Sequence, residues 1–287
     1  TLTAPDGSPT NALYGFSAFL IRILKELKPD YIIATYDLPE PTFRHIAYKE
    51  YKSQRKKTDN DLISQIIKSK EILRAFKIPV FEFSGFEADD ILGTIVQKLE
   101  KEKNLKTIIA SGDLDTLQLV KGDETVVYTL KKGINDTTIY NEENVKTRFG
   151  FLPRLIPDYK GLCGDKSDNI LGVKGIGEKS AETLIQKFGP LEEIYKTLEK
   201  SEEKMEKEGI KKRIIELLKE HKKDAFMSKE LAEIRRDAPI DFSFLNVKKE
   251  DRPNKENLTK IFEKFGFKSL VSRLNEVNYF FENGNKG

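Results

Sequence analysis

One cysteine, Cys163, and two histidines, His45 and His221, are all the Cys and His ligands the 287 residues hold. A lone cysteine forms no intrachain disulfide and cannot build a cysteine zinc site; Cys163 reads as a small buried hydrophobe without chemistry. A metal centre must then draw on Asp and Glu oxygens, which suit Mg²⁺ or Mn²⁺ rather than zinc. Long apolar runs are missing too. None approaches the roughly 20 residues of a membrane helix, and Thr1 to Gly7 is polar where a signal peptide would carry a basic stretch and an apolar core. A cytoplasmic chain with no membrane partner is expected. Nor does either charge dominate: the net charge is +3, so a nucleic-acid partner follows only from how charges are segregated. With 34% charged and 38% hydrophobic residues, the composition suits a globular protein, and its length suits two domains.

Apolar residues recur at helical spacing from Leu13 to Leu27, and Tyr31 to Tyr36 is a short apolar run that stops at Asp37 before Leu38-Pro39-Glu40-Pro41. Ile63 to Phe76 predicts a helix, Val80 to Phe83 a strand and Glu87 to about Lys103 a helix. Thr107 to Ala110 and Thr125 to Tyr128 predict further strands. Strands alternating with helices imply an α/β unit with a mostly parallel sheet and flanking helices over residues 1–156. From about Pro157 the pattern is helical only, giving a second, all-helical unit over 157–287. It includes a helix from Ser180 to Phe188, a charged but solvated helix within Ser201 to Glu220, and an amphipathic stretch from Leu258 to Leu274 broken at Phe265-Gly266-Phe267.

The acids fall at element boundaries. Asp37 and Asp113 sit just past apolar strands, at the sheet edge where ligands gather in open parallel sheets. Asp115 lies two residues beyond Asp113, on the same side if the segment is extended. Glu87, Asp89 and Asp90 open a helix, where capping accounts for one or two acids but does not require three. Asp165 and Asp168 share a face if their segment is helical. Four such clusters would repel one another unless cations neutralise them, the arrangement a two-metal phosphodiesterase needs.

Basic residues concentrate between Phe43 and Lys57. Arg44, Lys49, Lys52, Arg55, Lys56 and Lys57 are interleaved with Phe43, Tyr48 and Tyr51. Such a run reads either as a solvated face or as a surface where rings stack on bases and cations neutralise phosphates. Gly172-Val173-Lys174-Gly175-Ile176-Gly177, with Lys179 beyond it, has the form of a hairpin turn offering backbone amides to phosphate. It is neither a Walker loop nor a dinucleotide fingerprint.

Taken together, Y-G-F (Tyr14 to Phe16), F-R-H (Phe43 to His45), Y-K-S-Q-R (Tyr51 to Arg55), G-F-E-A-D-D (Gly85 to Asp90), S-G-D-L-D (Ser111 to Asp115) and G-D-K-S-D-N-I-L-G-V-K-G-I-G-E-K (Gly164 to Lys179) occur in an order that resembles the 5′→3′ exonuclease domain of bacterial DNA polymerase I, within the flap endonuclease superfamily. The resemblance covers nearly the whole chain. It implies a PIN-like nuclease domain followed by a helix-hairpin-helix (helix-3-turn-helix) domain. It implies that Asp37, Glu87, Asp89 and Asp90 serve a first metal region and Asp113, Asp115, Asp165 and Asp168 a second. Lys52 and Arg55 would approach the scissile phosphate from a helical arch, with Arg44, Tyr48 and Tyr51 contacting DNA. Gly172, Lys174, Gly175, Gly177 and Lys179 would grip the downstream duplex, with K⁺ held by hairpin carbonyls. The partner implied is DNA with a 5′ flap or a duplex–single-strand junction, bound by a monomer whose native chain carries a polymerase domain. Family members begin with a further strand bearing an I-D-G-N-S-like segment whose Asp is a metal ligand. The sequence opens after it, which is expected to reflect truncation, because losing an interior strand would expose its apolar neighbours.

Two other functions fit some of these features. A PIN-like ribonuclease would share the acids but does not need a duplex-DNA grip. A non-catalytic module binding branched DNA would keep the hairpin and dispense with the first strand's Asp.

Overall fold

The computed structural model describes residues 2–130, 136–244, 247 and 252–281. Helix α1 (Asn11–Leu27) buries Leu13, Leu20, Ile21 and Leu24 along one stripe and ends at Lys28, whose left-handed backbone donates to the Leu24 carbonyl. Strand β1 is Ala34–Thr35, α2 is Phe43–Ala47 and α3 is Asn60–Ala75, capped by the Asp59 carboxylate on the Asp61 amide. Strand β2 (Val80–Phe81) runs parallel to β1, and α4 (Ala88–Leu99) follows. Strand β3 (Thr107–Ala110) pairs in parallel with β4 (Thr125–Leu130), which pairs in antiparallel register with β5 (Thr137–Tyr140).

The expected single sheet is therefore two sheets, β2-β1 and β3-β4-β5. The apolar runs at Tyr31 to Tyr36 and Val80 to Phe83 form ladders of only two residues each. Side chains alternate across β1: Ile32, Ala34 and Tyr36 join the cluster built on α1, while Ile33 joins the cluster built on α4. The two helices thus cover opposite faces. Between the sheets lies a cavity of about 870 Å³ lined by α1, α4 and the facing edges of β1 and β3.

The helical part comprises α5 (Glu142–Phe149), α6 (Ile156–Cys163), α7 (Glu178–Phe188), α8 (Leu191–Lys200), α9 (Glu202–Lys207), α10 (Lys212–Glu220) and α11 (Lys222–Ala232). The charged Ser201 to Glu220 stretch is two helices, α9 and α10, with Met205, Ile210, Ile215 and Leu218 buried. Helix α6 lies against α11 at close range, since a Cβ on Gly161 would meet the Ala225 carbonyl at 2.9 Å. Finally α12 (Lys255–Lys264) and α13 (Lys268–Arg273) return to α1 and α3, where Leu258, Phe262, Phe267 and Leu270 share a core with Leu13, Ile21 and Phe76. No helix among the described residues is long and apolar enough to cross a membrane.

Candidate active site

Glu87 is the extended residue that starts α4, and its amide donates to the Asp90 carboxylate at 3.0 Å. Successive side chains on a helix diverge by about 100°, so the three acids here do not share one fate. Asp90 points inward and is fully buried, gripped by the equally buried Arg44 through two bonds of 2.6 and 2.8 Å. It also accepts from the Arg235 amide at 2.9 Å, while Arg44 donates to the carbonyls of Leu231 and Glu233. This corrects two expectations. Asp90 is committed to a buried ion pair rather than turned toward the acid cluster, and Arg44 is unavailable to DNA.

Asp37 and Asp113 do lie at the carboxyl ends of β1 and β3. Asp37 accepts from the Ala88 amide at 2.7 Å, tying the end of β1 to the start of α4. Asp113 begins a 3₁₀ helix (Leu114–Leu119) and accepts from the Asp115 amide at 2.9 Å, so the two acids are not the alternate residues of an extended segment. Burial, then the charges of Asp113, Asp37, Asp115 and Glu87, push the Asp89 carboxyl up to about 7. The acids thus form one repelling group around Asp89.

That shift has a measurable consequence for stability. Folded Asp89 keeps its proton to about pH 7, whereas the unfolded chain ionises near 4. The contribution is therefore fully present below about 4 and lost as pH rises through about 7. In chelator-treated protein, Asp89→Asn should be more stable than the parent at pH 8 by roughly 1–3 kcal/mol and should flatten this pH dependence. Denaturant titrations at pH 5 and 8 check it; an unchanged profile would remove Asp89 from the group.

Asp165 and Asp168 sit in a turn, not on a helix: Asp165 and Ile170 exchange backbone bonds of 2.8 Å in both directions. The Ser167 amide and hydroxyl donate to Asp165. Burial works to raise its carboxyl, but bonds from Lys160 and Ser167 outweigh this and hold it low. Asp168 is buried, and Arg55 and Tyr51 donate to it.

The Tyr51 to Arg55 segment is a turn as well, with Lys52 at φ 56°, a left-handed value no helix interior holds. It is held against the Asp165 turn by the Lys52 amide on the Asp168 carbonyl (2.9 Å) and the Asn169 side chain on the Glu50 carbonyl (2.7 Å). Lys52 still reaches Glu87 at 2.7 Å and Arg55 reaches Asp168, so both cations meet the acids without the expected arch helix. Tyr51 is 3% exposed and donates to Glu87 at 3.1 Å; Tyr48 packs beside it with Ile170 and Leu231. The Tyr51 ring is core, which corrects its assignment as a surface for stacking bases, while Tyr48 is half-buried.

Lys160 was not anticipated. It projects from α6 and bridges Asp115 and Asp165. The signal was faint, a lone lysine between Tyr159 and Gly161 in a largely buried helix. Burial would lower its pKa, but the two carboxylates outweigh that and raise it. Lys52, Arg55 and Lys160 each hold carboxylate oxygens of this group, and no three Asp, Glu, His or Cys side chains among the described residues close around one point. The oxygen-only donor set, with like charges that add to burial in raising Asp89, fits hard divalent cations.

The hairpin is split in role. Gly172 is buried at φ 64°, where a Cβ would meet the Gly164 nitrogen at 2.3 Å, and its amide donates to the Ser228 hydroxyl. Its place is structural, a correction to its reading as a phosphate contact. Gly175, Gly177, Lys174 and Lys179 are exposed, and Gly177 precedes α7 without a side-chain cap, leaving early amides of that helix open. Val173 and Ile176 anchor the turn in the core.

Acids gathered at strand ends, lysine and arginine reaching among them, and an exposed helical hairpin beyond define a nuclease. The chain belongs to the 5′-3′ exonuclease family: residues 1–150 match its N-terminal resolvase-like domain and 151–255 its C-terminal SAM fold. It is 44% identical to DNA polymerase I of Caldicellulosiruptor bescii over 280 residues, covering 95% of this chain and 31% of that protein. Against DNA polymerase I of Bacillus subtilis it is 40% identical over 275 residues, 96% of this chain and 30% of that protein. The chain thus spans about a third of the length of these relatives. Among solved structures it resembles T5 5′-exonuclease with zinc bound (TM-score 0.63, 19% identity, 96% of this chain and 94% of that one). It also resembles the phage T5 flap endonuclease in a pseudo-enzyme-product complex with DNA and metal ions (TM-score 0.64, 18% identity, 95% and 93%). These likenesses show the shared fold.

Proposed function

We propose that this chain is a structure-selective 5′→3′ exonuclease and flap endonuclease acting on DNA in replication and repair. The supporting observation is the crowding of carboxylates around Asp89, whose carboxyl is pushed up to about 7 by burial and then by the charges of Asp113, Asp37, Asp115 and Glu87. Such a group is unfavourable unless it neutralises cations. In this reading Asp37, Glu87 and Asp89 hold one Mg²⁺ or Mn²⁺ ion and Asp113, Asp115, Asp165 and Asp168 another, while Asp90 and Arg44 fix the start of α4. Bound divalent ions lower the pKa of an attacking water and neutralise the leaving oxygen. The chain's own part is to orient and to balance charge. Lys52 and Arg55 exchange their carboxylate partners for phosphate oxygens. Lys160 holds Asp115 and Asp165 in register. Lys174 and Lys179, with the amides of Gly175 and Gly177, grip duplex phosphates without reading bases, and hairpin carbonyls hold K⁺.

We further propose a monomer in the bacterial cytoplasm, acting at the nucleoid, whose native chain carries a polymerase domain, with its nuclease and hairpin domains meeting near residues 156 and 157. The test of the function is one 5′-flap DNA assayed for divalent-dependent cleavage and metal-independent binding. Cleavage that vanishes with chelator and returns with Mg²⁺ is expected; binding alone would leave a branched-DNA module, and cleavage of RNA alone a ribonuclease.

Lys52 and Arg55 separate two roles. If they meet the phosphoryl group mainly as charge redistributes, Lys52→Ala and Arg55→Ala lower single-turnover cleavage at saturating DNA by about 10²-fold and weaken binding by much less. Unchanged saturating rates with weakened affinity would demote both to electrostatic steering.

A further inference from the structure

Two turns face each other beside the acids, and each contains a residue with a left-handed backbone, Lys52 at φ 56° and Asn169 at φ 57°. Lys28 and Lys77 share that conformation where α1 and α3 end, an ordinary place for it. Neither Lys52 nor Asn169 ends a helix. The Ser53 amide donates to the Glu50 carbonyl at 3.1 Å, so Lys52 is the third residue of a tight turn, a place that suits glycine when φ is positive. Apolar packing does little to keep a lysine there. From Glu50 to Arg55 only Tyr51 is buried, and Ser53, Gln54 and Arg55 are exposed. The half-buried Asn169 supplies the hold instead: its carboxamide donates to the Glu50 carbonyl at 2.7 Å and to the Ser53 hydroxyl at 3.3 Å, at both ends of the turn that presents Lys52. In return the Lys52 amide donates to the Asp168 carbonyl, one residue before Asn169, at 2.9 Å. So clasped, Lys52 stands 2.7 Å from Glu87, and Arg55 meets Asp168.

We propose that Asn169 is a positioning residue for the reaction: its carboxamide clasps the Glu50 to Ser53 turn onto the acidic turn and so fixes where the Lys52 ammonium and the Arg55 guanidinium stand when they turn to phosphate. The role rests on the nuclease reading above. Asn169 holds main chain and a hydroxyl rather than any of the acids, so it acts through the two cations. Two demands meet at this position. The backbone must be left-handed, which glycine, asparagine and aspartate tolerate best, and the side chain must donate to a carbonyl, which neither glycine nor an ionised aspartate can do. Asparagine satisfies both. A shift of the turn by a fraction of its length would leave the charges present and misplace them, and misplacement of a reacting group by about 1 Å can cost on the order of 10²-fold in rate.

The test is a cycle of variants in the native protein. It is read by single-turnover cleavage of a 5′-flap DNA at saturation, by DNA affinity without divalent ions, and by hydrogen exchange at the Lys52 amide. Asn169→Gly keeps the backbone conformation and removes the donor; Asn169→Asp keeps the size and removes it too. Both are expected to slow cleavage about tenfold or more while changing affinity by less than about threefold. Exchange at the Lys52 amide should quicken about tenfold, with the core amides of Ile72 and Leu184 unchanged. In a Lys52→Ala, Arg55→Ala background neither variant should slow cleavage by more than about twofold further, because a residue acting through those cations has nothing left to place. A full further loss in that background would overturn the proposal, since the damage would then come through the acids or the fold. So would parental cleavage in Asn169→Gly, or a loss of affinity that accounts for the loss of rate. Unchanged exchange at Lys52 in Asn169→Gly sinks the clasp alone and leaves the nuclease reading standing. A native protein that leaves flap DNA uncut with Mg²⁺ overturns that reading and the role of Asn169 with it.

Discussion

Replacing Asp115 with alanine in the native protein is expected to lower single-turnover cleavage of a 5′-flap DNA by about 10³-fold or more, while changing DNA affinity by less than about threefold. Asp115 is a half-buried acid whose carboxyl is pushed up by burial and pulled back by Lys160. It lies among other acids, where it repels rather than attracts a phosphate backbone. On the proposed function, its removal costs cation binding and leaves the phosphate contacts assigned to Lys174 and Lys179 in place. Asp168→Ala should behave alike, with added disorder of the Tyr51 to Arg55 turn that Asp168 anchors. Gel-shift affinity and quenched-flow cleavage on one substrate decide the matter. Near-parental turnover in Asp115→Ala would strike it from the reactive set, and a parallel collapse of affinity would show that the acid shapes the DNA surface.

The Arg44–Asp90 pair carries the largest expected stability effect. Both side chains are buried, 3% and 0% exposed, and each has further backbone partners. Removing one partner leaves an uncompensated charge in the interior, so Asp90→Ala is expected to cost about 3–5 kcal/mol. Replacing both, as Arg44→Met with Asp90→Leu, should recover much of that loss, because desolvation of the pair offsets most of its attraction. Denaturant midpoints at fixed slope measure both variants. A single-variant loss below about 1 kcal/mol would mean that water reaches the pair. Since Arg44 also binds the carbonyls that end α11, the same substitution should loosen the seam between the α/β part and the helical part.

Local patterns carried most of the elements. The Thr107 to Ala110 strand, the α1 stripe and the break at Phe265-Gly266-Phe267 follow from spacing and turn residues that act over a few positions. The antiparallel β5 went unread, because its four residues, Thr137 to Tyr140, are too few to show an alternating pattern. Among the acids, position at strand ends was legible while orientation was not. Asp89 and Asp90 are neighbours in sequence, and only the arrival of Arg44 from another element decides which one is buried. Tyr51 misled for the same reason: aromatic residues among lysines suggest a stacking surface, yet its ring closes over Ile170 and its hydroxyl serves Glu87. Lys160 was silent because a single charge in a helix has no pattern until Asp115 and Asp165 are brought to it.

The return of α12 and α13 to the first helix has a consequence for the order of assembly. Leu13, Ile21, Ile72 and Phe76 emerge early, but the Leu258, Phe262 and Phe267 side chains that seal them are made only after all the helices from α4 to α11. At synthesis speeds of about 5–20 residues per second, that early surface waits on the order of ten to forty seconds for its cover. Folding from the amino end onward therefore stalls short of completion, and the nascent protein passes that interval with an open apolar flank, a natural target for holding factors. Slowing translation between the two stretches would lengthen the exposure without altering a single residue.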